Sequence, residues 1–477
     1  MVADKIVAMA ALTRRSFLTS LAASTASNAQ TRRPNIVFIL LDDLGYGDFG
    51  CYGQTKIKTP HTDRIATEGT SFTQCYAGCT VCAPSRCTLM TGLHNGHAAI
   101  RSNAGTAPIE ARDVTLVERL KQAGYRTGGF GKWGLGDHGT TGDPMKHGFD
   151  EFVGYYHQMH AHSYYPPFLW DSGKRWDLPG NADGKKQQYS ADLIAERSFE
   201  FVHKSKDVPF FLYATYTLPH ALFEIPSDEP YENEPWPKPA KTYAAMVTKA
   251  DSYIGRIMKL LAEWKLTENT VVFVTSDNGS PKGATPEADL FRSNAELRGI
   301  KGGFYEGGIR VPMIVRWPGR VKAGGTSGQV WSFADVMPTL LEVAGVDVPK
   351  GIDGISMIPA ITGKGKQIQH EYLYWEIHNW NQKEGGLRKG SMSQAARAGD
   401  WKAVRNKEGG AVELFDLAKD PSETHDLAGE QPQVLARMKM ILREAHTEPR
   451  PHAGGTSDWV GKAEPRSAAG PKDGLPK

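Results

Sequence analysis

Two apolar runs that each lead into acidic residues place the strongest constraint on how this chain can fold. Residues Asn35–Leu41 read NIVFILL and are followed at once by Asp42 and Asp43. Residues 270–274 are a second apolar run of this kind, and they lead into a Ser-Asp-Asn-Gly sequence at 276–279. A short run that is apolar on both faces is typical of a central strand in a parallel sheet. Because ligands bind at the carboxyl ends of such strands, we expect both acidic clusters at one edge of the sheet.

Helical patterns separate three more segments that have the composition of buried strands. We expect these strands at 126–131, 209–216 and 311–316, and helices at 115–124, 191–203, 243–264 and 333–344. Strands that alternate with helices indicate an α/β fold in which helices cover both faces of a large, mostly parallel sheet. Residues 34–364 are therefore expected to form the main domain.

The pattern changes near residue 365. Short strands are expected at 372–378, 395–405 and 412–417, followed by a helix at 433–446. This predicts a smaller C-terminal subdomain, residues 365–447, that combines an antiparallel sheet with one helix. Residues 448–477 are rich in Gly, Pro, Lys and Ser, and we expect them to be disordered.

The segment that most specifies chemistry is CAPSRCTLMTG, which begins at Cys82. An early proline followed by Ser85 and Arg86 suits the first turn of a helix, where free N–H groups and the helix dipole favour an anion. The segment resembles the signature of type I sulfatases. In that family the signature cysteine is oxidised to formylglycine, whose hydrated aldehyde attacks the sulfur atom of a sulfate ester. The resemblance extends over about residues 34–447 and implies the fold of the alkaline phosphatase superfamily.

The acidic clusters supply hard oxygen ligands, which suit calcium better than zinc or copper. In the family that the signature resembles, matching positions hold calcium together with the signature residue. The expected metal ligands are Asp42, Asp43, Cys82, Asp277 and Asn278. Taken alone, each acidic pair is also good turn chemistry.

Positively charged residues and one histidine match the family's catalytic positions. Arg86 is expected to orient the diol, and Lys132 and Lys301 are expected to hold sulfate oxygens. Fixed cations in a dry site stabilise the sulfuryl group in the transition state. His220 matches the histidine that faces the leaving-group oxygen, and it is the candidate general acid, alone or shared with Lys301.

One position departs from the family pattern. Many sulfatases read GKWHLG where this chain has Gly134, and that histidine hydrogen-bonds the second diol hydroxyl and helps to expel sulfate. The candidate replacements are His157, His160, His162 and His138. We favour His162, because it follows a glycine-rich segment that in the family returns the chain to the site. Simple loop packing is the alternative.

The sequence says less about the substrate. His97 and Arg101 follow the signature helix and are the expected substrate-binding residues. An aromatic-rich insert that includes Tyr164, Trp170 and Trp176 offers ring faces for a sugar, or else belongs to the core. A sulfated carbohydrate is the expected substrate.

Two other functions stay open at this point. A phosphonate monoester or phosphodiester hydrolase of the same superfamily would use the same formylglycine and a divalent metal ion. A chain whose Cys82 stays a thiol would instead be a non-catalytic binder of sulfated glycans. The GIKGG and EGGIRVP sequences favour sulfate ester hydrolysis.

Residues 1–29 resemble a twin-arginine export signal, with Arg14 and Arg15 before a short apolar run and a small-residue cleavage site. We therefore expect a periplasmic or secreted protein. Its Cys82 is expected to be converted by a formylglycine-generating enzyme or maturase before export. No run approaches the length of about eighteen apolar residues that indicates a membrane span. The formal charge of +3 gives no reason to expect nucleic acid binding.

All five cysteines fall between Cys51 and Cys87, without the paired C-x-x-C spacing that a zinc site of this kind needs. An odd count in an exported protein leaves one cysteine unpaired. Cys82 is the expected unpaired residue, and the pairing of the other four stays open.

Overall fold

A large mixed sheet occupies the centre of the computed structural model, which describes residues 33–103, 108–281, 290–381 and 386–450. The export signal expected at 1–29 and most of the tail expected at 448–477 lie outside the described residues. The strands of this sheet are β1 (Asn35–Leu41), β2 (Thr70–Tyr76), β3 (Arg126–Lys132), β4 (Glu151–Tyr155), β5 (Phe168–Asp171), β6 (Lys174–Asp177), β7 (Phe210–Thr215), β8 (Thr270–Ser276), β9 (Arg310–Arg316), β10 (Gly325–Ser327) and β11 (Trp331–Ser332).

The strand order is β10-β2-β9-β8-β1-β7-β3-β4-β5-β6, and β11 also pairs with β2. The centre is parallel, since β1 pairs with β7 and β8, and β3 pairs with β7 and β4. The expected strand at 311–316 forms as β9, but it runs antiparallel to β2 and β8. β5 and β6 add an antiparallel edge. The expectation of a mostly parallel sheet is confirmed for the centre, and antiparallel strands extend it on both sides.

Helices cover both faces of this sheet. They are α1 (Pro60–Glu68), α2 (Cys82–Thr91), α3 (Leu116–Gln122), α4 (Ser190–Ser205), α5 (Lys238–Glu263), α6 (Glu306–Ile309) and α7 (Val336–Val343). Alternate residues of β1 point to opposite faces: Val37 packs with α1, α4 and α5, while Phe38 packs with α2, α3 and α7. This double coverage explains why β1 is apolar from Ile36 to Leu41.

The second sheet is antiparallel and has the order β12-β15-β16-β17. The remaining elements are α8 (Ile358–Thr362), β12 (Leu373–Ile377), β13 (Trp380–Asn381), β14 (Gly386–Leu387), β15 (Ser393–Ala398), β16 (Trp401–Arg405), β17 (Glu413–Asp416) and α9 (Pro432–Glu444). The single strand expected at 395–405 is wrong in detail, because Gly399, at a φ of 60°, and Asp400 form a turn that splits it into β15 and β16. Helix α9 packs on this sheet through Met438 and Leu442.

A buried ion-pair network ties the second sheet to the loop that precedes β9. Lys402 of β16 lies 2.8 Å from Glu306 of α6 and 2.8 Å from Glu423. Arg298 donates to the backbone oxygen of Glu423 at 2.8 Å. Arg298 and Glu306 flank Lys301, so the network anchors both ends of the segment that carries this lysine.

Across the ranges given above, no helix combines the length and the apolar character needed to cross a bilayer. Each of the five cysteines is unpaired in the structure.

Candidate active site

The acidic clusters lie side by side at the carboxyl edge of the sheet, as the sequence predicts. Strands β1 and β8 pair in parallel with Leu41 opposite Ser276, so the residues that follow the two strands are neighbours. The backbone N–H of Asp277 donates to the oxygen of Leu41 at 3.0 Å, and that of Asp43 donates to Oδ1 of Asp277 at 3.2 Å. Topology therefore brings together residues that are more than 230 positions apart.

Cys82 is the first residue of α2 and is fully buried. Its Sγ atom lies 3.4 Å from Oδ1 of Asp42 and 3.9 Å from Oδ1 of Asp43. Burial and then the nearby carboxylates of Asp277 and Asp42 raise the pKa of the Cys82 thiol to about 12. The unmodified thiol would be a poor nucleophile at neutral pH.

Two polar side chains fix the start of α2. Ser85 accepts a hydrogen bond from the Gly78 N–H at 3.1 Å and donates to the backbone oxygen of Asp277 at 2.6 Å. Asn103 accepts from the Ala83 N–H at 3.1 Å. These contacts hold the helix N-terminus, with its partial positive charge, against the acidic clusters.

Each of the three carboxylates has its own buried or half-buried cation. Lys132, the last residue of β3, lies 2.7 Å from Oδ2 of Asp42. Lys301 lies 2.7 Å from Asp43. In a third ion pair, Nη2 of Arg86 lies 2.7 Å from Oδ2 of Asp277. The expected sulfate-binding cations and the expected metal ligands thus form one cluster.

Two further contacts fix the guanidinium of Arg86. Its Nη1 atom donates to the backbone oxygen of Lys132 at 2.6 Å and to the hydroxyl of Thr215, at the end of β7. The sequence analysis did not single out Thr215, for which the available signal was a polar residue at the end of an apolar strand. Asn103 follows the signature helix and was considered for substrate recognition, and in the structure it caps the start of α2.

The cluster separates the pKa values of its carboxyl groups. Burial alone would raise the pKa of Asp42, but Lys132 first, and then His220, Arg86 and Lys301, hold it well below its ordinary value. Burial and the neighbouring Asp42 instead raise the pKa of Asp277 to about 6.

His220 lies in the loop after β7, and its Nε2 atom is 3.3 Å from Nζ of Lys301 and 3.5 Å from Oδ2 of Asp43. Its Nδ1 atom contacts the backbone oxygen of Ala221, which places a proton on Nδ1 and leaves Nε2 to accept from Lys301. Burial, assisted by Lys301, lowers the pKa of His220 to about 4. The ring is therefore neutral near pH 7.

Of the four histidines considered as replacements at Gly134, the structure brings His162 to the cluster. Its ring stacks on that of His220 with 4.8 Å between centroids. His160 instead bonds the backbone oxygen of Phe168 at 2.9 Å.

The other two histidines have local contacts. Nδ1 of His157 accepts from the Met159 N–H at 3.1 Å, and His138 stacks on Trp170. Tyr164 of the aromatic insert is buried, and its hydroxyl donates to the backbone oxygens of Thr217 and His220, which fixes the His220 loop. Tyr164 therefore acts as a core residue rather than as an exposed sugar platform.

The two residues expected to bind substrate are not joined to this cluster by the contacts found. Nδ1 of His97 lies 3.0 Å from Asp353, beyond the C-terminal end of α2. Arg101 is buried and lies 2.9 Å from Glu376. Their assignment as substrate ligands stays a prediction.

The residues present fit a calcium ion. One ligand atom from each of Asp42, Asp43, Cys82 and His220 lies within 4.8 Å of the other three. The buried Oδ1 atom of Asn278 has no hydrogen-bond donor among the described residues, as expected of an atom that would ligate a cation. Oxygen atoms from three aspartates and one asparagine are the donor set that calcium prefers.

Comparison with protein families gives two matches. The sulfatase family model matches residues 34–346, and the model of the N-sulphoglucosamine sulphohydrolase C-terminal region matches residues 301–448. The first match covers the main sheet with every residue of the cluster. The second begins at Lys301 and continues through the antiparallel sheet.

Curated relatives and solved structures agree with these matches. N-acetylgalactosamine-6-sulfatase of Canis lupus familiaris is 32% identical, over 74% of this chain and 70% of that protein. Human arylsulfatase A is 30% identical over 90% of each chain. The crystal structure of Ps i-CgsB superposes with a TM-score of 0.75 at 29% identity, over 88% of this chain and 94% of that chain.

Proposed function

Because this chain belongs to the sulfatase family of the alkaline phosphatase superfamily, we propose that it hydrolyses a sulfate monoester on a carbohydrate, using a formylglycine at position 82 and a bound calcium ion. Members of the family are sulfuric ester hydrolases, and this chain is one of them. The nucleophile, the metal and the sugar are the proposed parts.

The observation that carries the proposal is the arrangement around Cys82. The residue begins a helix, is fully buried, and faces Asp42 and Asp43, whose cationic partners are Lys132 and Lys301. Burial raises the pKa of the thiol to about 12 and leaves it protonated, and a hydrated aldehyde at this position would supply the nucleophile in its place.

Two groups would complete the site. Asp42, Asp43, Asp277 and Asn278 would hold the calcium ion, which when bound acidifies a hydroxyl and withdraws charge from a sulfate oxygen. A hydrated aldehyde at position 82 supplies that hydroxyl, formed by a formylglycine-generating enzyme or maturase.

Lys132 and Lys301 bind the sulfate group. Burial alone would lower the pKa of Lys132, but Asp42 raises it above its ordinary value, and Asp43 does the same for Lys301. Both ammonium groups therefore stay charged. They lie beside Asp42 and Asp43, the carboxylates whose negative charge a metal ion would balance. Preformed cations in a buried site stabilise the added negative charge of the transition state without reorganisation.

Lys301 and His220 together deliver the proton to the departing alkoxide. The His220 ring is neutral in the resting site and accepts a hydrogen bond from the charged Lys301 at 3.3 Å. The proton that the departing alkoxide takes up is assigned to this Lys301–His220 pair, whose two nitrogen atoms share one hydrogen bond. His162 is the proposed base in the second half of the cycle, because its ring stacks on that of His220; burial lowers its pKa well below the ordinary value, which leaves the ring unprotonated and able to accept a proton.

The substrate class follows from relatives and not from a bound ligand. N-acetylgalactosamine-6-O-sulfatase of Bacteroides thetaiotaomicron is 28% identical over 87% of this chain, and Ps i-CgsB has also been crystallised with a neocarrahexaose. These names support a sulfated sugar as substrate. Export by the twin-arginine route to the periplasm or beyond is part of the same proposal.

The test is sulfate release from 4-nitrophenyl sulfate and from 6-sulfated N-acetylgalactosamine, by protein produced with and without a formylglycine-generating enzyme. Cys82→Ala serves as the folded, inactive control. Hydrolysis that requires the converting enzyme supports the proposal. Faster hydrolysis of a phosphonate monoester would favour the alternative activity, and no hydrolysis with retained glycan binding would favour a binding protein.

A further inference from the structure

Gly134 and Gln158 share one small space beside the active site. A side chain built on Gly134 would begin 3.0 Å from Oε1 of Gln158 and 3.7 Å from Cδ of Arg86. The backbone fixes this proximity, because the Gly134 N–H donates to the oxygen of Tyr156 at 3.1 Å. The carboxamide of Gln158 therefore occupies the space that a side chain at position 134 would enter.

The amide of Gln158 is buried, with 1% of the residue exposed. Within the described residues, neither its oxygen nor its nitrogen has a hydrogen-bond partner. A buried, unpartnered amide is unfavourable, and native proteins satisfy such groups with a ligand, a water or a neighbour. The amide offers both donors and an acceptor, so a hydroxyl group or another oxygen atom is a matching partner.

The position of Arg86 indicates where that partner lies. Arg86 follows Cys82 by four residues in α2, so the two side chains share one face of the helix. Oε1 of Gln158 and Cδ of Arg86 both lie within 4 Å of the point where a side chain on Gly134 would begin. We infer that the space beside the Gln158 amide lies at the face of α2 that carries the nucleophilic position.

Building on the function proposed above, we propose that Gln158 replaces the side chain missing at Gly134 and hydrogen-bonds an oxygen atom on the converted residue 82. In this role Gln158 orients the nucleophile. An amide neither gains nor loses a proton near neutral pH, so Gln158 does not act as a base. The proton transfers stay with His220, Lys301 and His162.

The test uses Gln158→Met, which keeps the length and volume of the side chain and removes the amide. We expect kcat to fall about a hundredfold, the loss seen when one preorganised hydrogen bond in a buried site is removed. KM should change little, because the amide acts on residue 82 and not on the substrate. Gln158→Asn, whose shorter amide cannot reach the same position, should lose a similar factor. Gln74→Met, a half-buried glutamine outside the site, is the matched control with unchanged activity.

A second readout does not depend on turnover. Thermal unfolding is measured for Gln158→Met in the converted enzyme and in the Cys82→Ala background, where the side chain at position 82 carries no oxygen atom. The substitution should lower Tm in the converted enzyme. In the Cys82→Ala background it should leave Tm unchanged or raise it, since replacing an unpartnered buried amide by an apolar group is neutral or stabilising. Equal Tm changes in both backgrounds, full retention of kcat, or a loss confined to KM would overturn the proposal.

The two proposals fail in different ways. Wild-type activity on sulfate esters together with equal Tm changes removes the role of Gln158 and leaves the proposed function intact. A second outcome is a converted protein that hydrolyses no sulfate ester, in which Gln158→Met lowers Tm but has no such effect in the Cys82→Ala background. This outcome would contradict the proposed function and support the contact between Gln158 and residue 82.

Discussion

Asp48 anchors the loop that carries Asp42 and Asp43. Its carboxyl group should make the stability of the protein depend measurably on pH. Its Oδ2 atom accepts hydrogen bonds from the Gly45 N–H at 2.8 Å and from the hydroxyl of Tyr243 in α5. Burial raises the pKa of Asp48 from 3.8 to about 6, because these hydrogen bonds offset only part of the cost of burying the charge. We predict that Asp48→Asn removes one pH-dependent component of stability.

The sign and size follow from the two pKa values. Between pH 3.8 and about 6 the folded protein binds a proton that the unfolded chain has released. The contribution of Asp48 is therefore fully present below the unfolded pKa and is lost as the pH rises through the folded value. A shift of about two pKa units corresponds to about 3 kcal/mol of unfolding free energy.

Urea unfolding at pH values from about 4 to about 7 measures this contribution in the wild type and in Asp48→Asn. The difference, wild type minus variant, should fall by up to about 3 kcal/mol as the pH rises. Asp207→Asn, at an exposed aspartate, controls for the loss of a carboxylate in general. A difference that is constant or increases with pH would refute the reasoning.

Three further predictions concern the site. Chelation should abolish activity and lower Tm, and Asp277→Asn should weaken calcium binding, since one negative charge is lost from the ligand set; active, chelator-treated protein that contains no divalent ion in metal analysis would contradict this. His220→Gln should slow hydrolysis of a sugar sulfate far more than that of 4-nitrophenyl sulfate, whose leaving group needs no proton, and equal losses would argue against a general acid. His162→Ala should release one equivalent of alcohol in a burst and then nearly stop, and normal steady-state turnover would remove His162 as the base.

The apolar strands could be predicted from the sequence because burial on both faces leaves a continuous apolar run. Strand β1 has the expected bounds, Asn35–Leu41. Strand β2, Thr70–Tyr76, was missed because its TSFTQCY sequence mixes polar and apolar residues without a clear period, and its pairing with β9 is what makes it a strand. Helix α5 begins at Lys238 and not near 243, because Pro239 suits a first helical turn that carries no apolar periodicity.

The composition of the site was also predictable, since parallel strands place their following residues at one edge. Which cation pairs with which carboxylate in the site was not predictable. That Arg86 pairs with Asp277 while Lys132 pairs with Asp42 depends on side-chain directions at the ends of three strands and in the first turns of α2. The position of Gln158 beside Gly134 depends on the register of β3 and β4, which no local pattern encodes.

The central claim is that Cys82 is the precursor of the nucleophile, and the mass of the tryptic peptide that spans 65–86 tests it most directly. In active protein the peptide should have lost one sulfur and two hydrogens, gained one oxygen, and become reactive towards a hydrazide. The same peptide from protein made without a converting enzyme should keep the thiol and come from inactive material. Full sulfatase activity in protein whose peptide carries only unmodified cysteine would contradict the account.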